Sequence, residues 1–491
     1  MKRILTLILA VLMCFGTLLS CSKEEEVVEG ETEAVSTDDG IEYDENGYQM
    51  DKLGTMDFGG REIRICGWSN IEDNLPEFSV ESMGLGTVSN AAFIKNYTVE
   101  QRLKVRLKFE TMDGWTGQGT ATAGQAQLTR VQTAAGTTDI DIIGTYSWNP
   151  ATFMNQGLLS DLNAMPHIDF TAPWWNASVV EKSSVYGKLF FATGDIAPSL
   201  IRETYAVFFN KSVAAQYDGM EDLYDLYENG QWTIDKMMEL SASVASDLGE
   251  SGKDKGDKFG LVTFGTATDA FYQGSDLMEI ENAADGSMLV SEDFRSEKTH
   301  NLLEKLIGFS KTDAFWINDS YESAWKQGNS LFTLTTFAAV ENWTDSNAKD
   351  FGILPMPKYD TDQTEYRTLV GFFHTMYCVP IALKGDEEIG ATLECMASEC
   401  YRKVTPAYYE DLIQSRYSAT VDEAIMFDNV RACVVVDSGR IFNQLLHWKI
   451  AQQFRINLVK GDLDWFSACD VIIPTIEKNL TSLNEGAATF G

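Results

Sequence analysis

Four stretches of this sequence set large flat rings beside hydrogen-bonding side chains. They are Gly67-Trp68-Ser69-Asn70, Gly144-Thr145-Tyr146-Ser147-Trp148-Asn149, Phe337 with Glu341-Asn342-Trp343, and Gly371-Phe372-Phe373-His374. A ring face packs on C–H groups, while amides, hydroxyls and carboxylates exchange hydrogen bonds with hydroxyls. That combination suits a polyhydroxylated molecule such as a sugar held in a concave site. Any single ring is equally well explained as core, but Trp68 and Trp148 stand out because polar residues flank them. The candidate contacts are Trp68, Asn70, Tyr146, Ser147, Trp148, Asp195, Asn342, Trp343, Phe372 and His374. Asp195 joins the group because Gly194-Asp195 falls at a junction between two structural units, where it would otherwise terminate a turn.

Other chemistries find less support. Asp139 and Asp141 share a strand face and would be a carboxylate pair for glycoside cleavage, yet they read more simply as groups that cap or solvate a strand edge. The four histidines (His167, His300, His374 and His447) are scattered, with no His-x-x-x-His pair. No Gly-x-Ser-x-Gly elbow and no phosphate-binding glycine loop occurs. Trp232 stands just before a helix cap, where packing is the common role. The expectation is therefore a binding protein without cofactor or metal, and not an enzyme.

The elements that must position these residues alternate along the chain. Glu62 to Cys66 and Lys104 to Phe109 show the period of two expected of strands. A helix is expected from a cap at Ser89 or Asn90 to Arg102, with Phe93 and Tyr97 on one face. A second is expected over Ala121 to Ala135, with Leu128 and Val131 inward and Gly136 as its C-cap. Asp139 to Ile143 completes a β-α-β-α-β unit, which implies a largely parallel sheet covered by helices. Tyr205 to Phe209, Phe259 to Val262 and Leu331 to Leu334 give the strands of a second unit. Between them Thr233 caps a helix whose apolar stripe is Met237, Leu240, Val244 and Leu248. Pro355-Met356-Pro357 enforces an extended chain and suits a stiff return between the units. Tyr366 to Pro380 reads as a further strand, and the rest is mostly helical. In parallel sheets ligands bind beyond the C-terminal strand ends, where the four ring-rich stretches lie.

Composition narrows the classes. The chain has 491 residues, with 73 Asp and Glu against 38 Lys and Arg, a formal net charge of −35. Such an acidic protein repels nucleic acid. Its 11 Trp, 18 Tyr and 27 Phe exclude general disorder. Residues 1–20 place Lys2 and Arg3 before a short apolar run, the pattern of an export signal. That run ends in Leu18-Leu19-Ser20-Cys21, a lipobox-like motif in which Cys21 takes a lipid. Residues 21–57 then form an acidic stalk, with thirteen acids against two bases from Ser22 to Asp57. Export permits disulfides, and Cys395 with Cys400 is one candidate pair, although buried free thiols fit helical spacing better.

Taken together, the residues resemble extracellular solute-binding proteins of family 1, the lipoprotein receptors of carbohydrate-type ABC importers. The resemblance is carried in order by Phe58-Gly59-Gly60-Arg61-Glu62-Ile63, Val99-Glu100-Gln101-Arg102-Leu103, Gly157-Leu158-Leu159-Ser160-Asp161-Leu162-Asn163 and Pro173-Trp174-Trp175-Asn176. It continues through Gly187 to Asp195, Phe209-Asn210-Lys211, Trp232 to Lys236 and Gly352 to Lys358. It departs from the pattern over Ser415 to Met426. The resemblance implies an α/β, two-lobed periplasmic-binding-protein-like fold of type II, with hinge crossovers and a ligand cleft between lobes. Lobe 1 is expected over 58–196, with 353–404 returning to it, and lobe 2 over 197–352, with a helical part at 405–491. The function implied is capture of a sugar or oligosaccharide by a monomeric protein, lipid-anchored on the extracytoplasmic face of the membrane, for delivery to ABC-transporter permease subunits. The competing classes are a surface glycan-binding lipoprotein without a transporter and a secreted glycosidase.

Overall fold

Alternation in Arg61–Trp68 gives way to four consecutive buried residues at its end, so this strand starts near solvent and finishes inside the molecule. The computed structural model describes residues 35–36, 41–72, 77–80, 82–84, 86–115, 124–137, 139–217, 219–246, 252–343, 346–348, 350–414 and 421–490. It divides into two units, Met1–Tyr48 and Gln49–Gly491. In the first, Val35–Ser36 pairs antiparallel with Glu42–Tyr43. The expected export signal, Cys21 and part of the expected acidic stalk (21–34 and 37–40) lie outside the described residues, as does Leu248.

In the second unit we number the strands β1 (Arg61–Trp68), β2 (Val105–Met112), β3 (Ile142–Tyr146), β4 (Tyr205–Asn210), β5 (Phe259–Thr263), β6 (Phe315–Ile317), β7 (Ser330–Thr336), β8 (Phe351–Leu354), β9 (Thr368–Leu369), β10 (Thr375–Cys378) and β11 (Val434–Val435). One sheet has the order β10-β3-β1-β2, with β1 parallel to β2 and β3, and β10 antiparallel to β3. The other has the order β6-β5-β7-β4-β8, with β4 antiparallel to both β7 and β8. Strands β4, β5 and β7 are buried at every residue, as expected where helices cover both faces. Each sheet thus carries one reversed strand, β10 or β4, and each reversed strand lies just after a passage of the chain from one sheet to the other.

Those passages run side by side. Thr204 bridges Val370 and Ala192 bridges Tyr377, both antiparallel. The Gly371 N–H donates to the Glu203 carbonyl at 2.7 Å, and Thr193 Oγ1 donates to the Thr375 carbonyl at 2.7 Å. The return to the first sheet therefore lies at Val370–Thr375. The expected return at Pro355 is displaced because Phe351–Leu354 pairs with β4 in the second sheet, and the Pro355 carbonyl accepts the indole N–H of Trp232 at 2.9 Å. Trp232 is a packing residue, as its place before the cap implies.

Several expected elements shift. The helix placed at Ser89 or Asn90 begins at Thr87 and buries Val88, Ala92, Lys95 and Val99, leaving Tyr97 exposed. The Ala-rich helix spans Gln125–Thr137 and runs through Gly136. The third strand starts at Ile142, because Asp141 instead accepts bonds from Arg64 N and Nε at 2.8 and 3.0 Å. Asp139 pairs with Arg130. These two aspartates are thus each held in an ion pair. The strand read over Tyr366 to Pro380 breaks into β9 and β10 around the Gly371–His374 loop. Thr233 caps its helix through Lys236 N at 3.2 Å, as expected. Two glycines make room for one ring: a Cβ on Gly67 or on Gly144 would lie 2.5 or 2.4 Å from Phe78.

The C-terminal helices join the two halves. Glu387–Glu399 packs on Thr87–Leu103, and Val421–Ala432 packs on β8. The last helix, Trp465–Thr489, touches both Met288–Val290 and Asn149–Asn155. No helix among the described residues is long and apolar enough to cross a membrane.

Candidate functional site

The ring-rich stretches of the first sheet meet. Tyr146 ends β3, and Trp148 follows it at a ring-centroid distance of 5.5 Å. The loop before β10 brings Phe372 to 4.8 Å from Trp148, and Phe373 to 4.8 Å from Trp68 and 5.6 Å from Trp115. Ser147 fixes this arrangement by donating from Oγ to the Phe372 carbonyl at 2.5 Å. Tyr146 and Trp68 are buried, whereas Trp148, Phe372, Phe373 and Trp115 keep part of their surface open. Trp68 serves as the foundation of this cluster, with its indole N–H donating to Thr375 Oγ1 at 2.8 Å. Asn70 braces the neighbouring loop: its Oδ1 accepts from Gly114 N at 3.2 Å and Trp115 N at 3.1 Å. Trp148 Nε1 is buried without a protein partner, a donor available to a ligand acceptor.

His374 lies under the loop. One ring nitrogen, Nδ1, is 2.7 Å from the Gly371 carbonyl, so it carries the hydrogen and Nε2 is left without a partner. Burial pushes this imidazole down to about 4, with the charge of Arg440 acting in the same direction, so it is neutral at physiological pH. Arg440 itself sits 4.0 Å from the Phe372 ring centroid, within cation–π range. Its Nη1 donates to Asp269 Oδ2 at 3.2 Å, and Arg455 donates to the same oxygen at 2.9 Å.

Three of the expected contacts are placed elsewhere. Trp343 is fully buried in the second sheet's core, 5.1 Å from each of Phe208, Trp325 and Phe351. Asn342 is exposed beside it. Asp195 is buried and accepts from Thr405 Oγ1 at 2.6 Å and Arg431 Nη2 at 2.8 Å, pinning two later helices to the passage between the sheets.

Residues that composition and spacing did not single out lie at the strand ends of the second sheet. Phe264 follows β5 and Tyr321 follows β6; their rings stack at 5.1 Å and 27°, both partly exposed. Arg202 and Glu203 precede β4. Arg202 holds Glu341 with two bonds, Nε–Oε1 at 2.9 Å and Nη2–Oε2 at 3.1 Å, and reaches Glu203 Oε1 at 3.3 Å. The available signal was weak: Phe264 and Tyr321 follow the strand-end rule, whereas Arg202 and Glu203 precede the reversed strand β4, and no motif marks a lone Phe-Gly or Arg-Glu pair.

The buried trio Asp51, Cys395 and Glu399 has metal-ligand chemistry, with its donor atoms within 4.8 Å of one another. The Arg102 guanidinium fills that space, bonding Asp51 at 2.5 Å and Glu399 at 2.9 Å, and burial pushes the Cys395 thiol up, away from the thiolate a metal needs. Cys395 and Cys400 are separate, buried free thiols.

Solved structures share this architecture. The cyclic alpha-maltosyl-1,6-maltose binding protein from Arthrobacter globiformis is 16% identical, with a TM-score of 0.55 covering 86% of this chain and 99% of that one. An extracellular solute-binding protein from Staphylococcus aureus, solved with maltose, is 12% identical at a TM-score of 0.56, covering 86% and 98%. The galacto-N-biose-/lacto-N-biose I-binding protein of an ABC transporter from Bifidobacterium longum is 12% identical at 0.51, covering 89% and 100%. No protein-family model and no curated protein matches the sequence. The fold is thus the two-lobed, periplasmic-binding-protein-like one expected from the sequence, each lobe built on one of the two large sheets.

Proposed function

We propose that this protein is an extracytoplasmic solute-binding protein that captures a sugar or oligosaccharide between its lobes and hands it to an ABC importer. The observation that carries the reading is the partly open ring cluster of Trp148, Phe372, Phe373 and Trp115 beside the paired passages. Sugar rings present C–H faces to such surfaces and hydroxyls to the polar groups around them. The solved neighbours that were captured with maltose and lacto-N-biose support the same ligand class. The second lobe contributes the Phe264–Tyr321 pair in place of Trp343. Tyr205 links that pair to the passage, with its ring 6.5 Å from Phe264.

In this reading the hinge is the two antiparallel passages, 196–204 and 369–375, and lobe 1 extends over 58–196 with the part that returns through β10. A ligand that touches both lobes favours the closed state in proportion to its preference for it. Lipid attachment at Cys21 holds the protein at the membrane, where it acts as a monomer with a permease.

The test is a panel of mono- and oligosaccharides scored by thermal shift and by tryptophan fluorescence. A true ligand at a hundredfold excess over Kd stabilises the protein by about 2.7 kcal/mol. Steady release of reducing ends from the same sugars would overturn the binding-only reading in favour of a glycosidase. A panel without any stabilising sugar would overturn the ligand class.

A further inference from the structure

Glu203 occupies an unusual place in the hinge. Its backbone carbonyl accepts the Gly371 N–H at 2.7 Å, which locks the two passages together at this residue. Its side chain is largely enclosed yet keeps 14% exposure. Arg202 lies next to it but is already held by Glu341 through two bonds, so it offers Glu203 only one contact, to Oε1 at 3.3 Å. The other oxygen, Oε2, faces Gly371, where a Cβ would stand 3.0 Å away. Glycine at that position leaves the carboxylate uncovered. Two buried, unpartnered polar atoms flank the same Gly371–His374 loop: Nε2 of His374, which is 4% exposed, and Nη2 of Arg440, which is 3% exposed.

We infer that the Glu203 carboxylate accepts a hydrogen bond from a ligand hydroxyl at the hinge, and that protonation of this group releases the ligand. The inference rests on the carbohydrate reading and sharpens it. An ionised carboxylate only accepts hydrogen bonds, so it selects a hydroxyl donor; once protonated, one of its oxygens becomes a donor and the charge-assisted bond to the ligand is weakened. The charged neighbours set the range. Burial raises the group first, Arg202 lowers it and Glu341 raises it again, which brings it up to about 7. Tyr146 from the end of β3 and Tyr205 from the start of β4 complete its surroundings; both are neutral phenols that burial pushes upward. Two carboxylates thus share one guanidinium, an arrangement that leaves a proton within reach near neutrality.

The experiment measures sugar affinity of the full chain at pH 8 and pH 6 for the wild type, Glu203→Gln and Gly371→Ala, using the sugar that stabilises the wild type best. If only the ionised form binds, the wild-type Kd rises about tenfold between pH 8 and pH 6. Glu203→Gln should bind about tenfold more weakly at pH 8 and show no change with pH. Gly371→Ala, whose methyl covers Oε2, should weaken binding at pH 8 even if the Gln variant does not fold. Carboxyl carbon NMR should show Glu203 titrating near neutrality in the free protein and shifted downward when sugar is bound. A Gln variant that keeps wild-type affinity and the wild-type pH profile overturns the role of Glu203 while leaving the carbohydrate reading intact. A wild type that binds no sugar at either pH overturns the carbohydrate reading and this inference with it.

Discussion

Arg440 places its guanidinium carbon 4.0 Å from the ring centroid of Phe372. Through that contact a residue of the C-terminal helical region supports the loop that carries the candidate rings. The same guanidinium bonds Asp269 at 3.2 Å beyond the end of β5, so one side chain links the returning loop, the second lobe and the C-terminal region. Three buried carboxyl groups, Asp269, Glu279 and Asp437, gather around Arg440, while Arg455 adds a second positive charge at Asp269.

Arg440→Met should therefore destabilise the protein by roughly 3 kcal/mol, because it strips one cation from a buried cluster that Arg455 alone then serves. Urea unfolding checks this. A loss below about 1 kcal/mol would show that Arg440 contributes no more than an exposed pair.

Trp148 and Trp343, both candidate contacts in the sequence, should behave oppositely. Trp343→Ala removes a ring enclosed by Phe208, Trp325 and Phe351, and should cost about 3–5 kcal/mol of stability while the folded fraction binds sugar normally. Trp148→Ala removes a partly open ring and should weaken binding by about 1–3 kcal/mol with a smaller effect on unfolding. Isothermal titration beside denaturant curves separates the two effects.

Stability should fall as pH rises from 5 to 8. Burial pushes Glu394 up to about 7, with the Trp175 indole N–H, 2.9 Å from Oε2, opposing that shift. A group whose folded pKa lies above its unfolded value contributes its full stability below the unfolded value, near 4.5 for Glu, and loses it as pH climbs to the folded one. The loss from Glu394 is on the order of 3 kcal/mol, and Glu203 acts in the same direction. Melting temperatures of the wild type and Glu394→Gln across this range provide the check, and the Gln variant should show the flatter profile. At the acid end Asp51 reverses the trend: burial would raise it, but the hydrogen bond and charge of Arg102 outweigh burial and lower it. The stability that Asp51 contributes is lost as pH falls through its lowered folded pKa, below 3.8.

Cys21→Ser should release the protein from membranes, since the lipobox-like end of the proposed export signal carries the proposed anchor. Fractionation of cells expressing the variant measures this. Retention on the membrane would mean a second anchor.

Much of the scaffold was legible in the residues themselves. Period-two alternation marks Arg61–Trp68 and Val105–Met112, and the largely apolar stretches Tyr205 to Phe209 and Leu331 to Leu334 mark β4 and β7, because a strand's faces follow directly from residue order. The Thr233 cap and the Met237, Leu240 and Val244 stripe are equally local. The place of Tyr146, Ser147 and Trp148 at the end of β3 followed from the strand-end rule and needed no motif, whereas Phe372 reaches them because β10 runs antiparallel to β3. Burial was not legible in the same way. Trp148 and Trp343 both stand at strand ends among polar neighbours, yet only tertiary packing decides that Phe208, Trp325 and Phe351 close over one of them. The return of the chain at Gly371, the bond from Arg431 to Asp195 and the approach of Arg440 to Phe372 also depend on long-range packing. Those contacts join residues far apart in the chain, and their free energy comes from enclosing charges and rings together, which no local pattern of residues encodes.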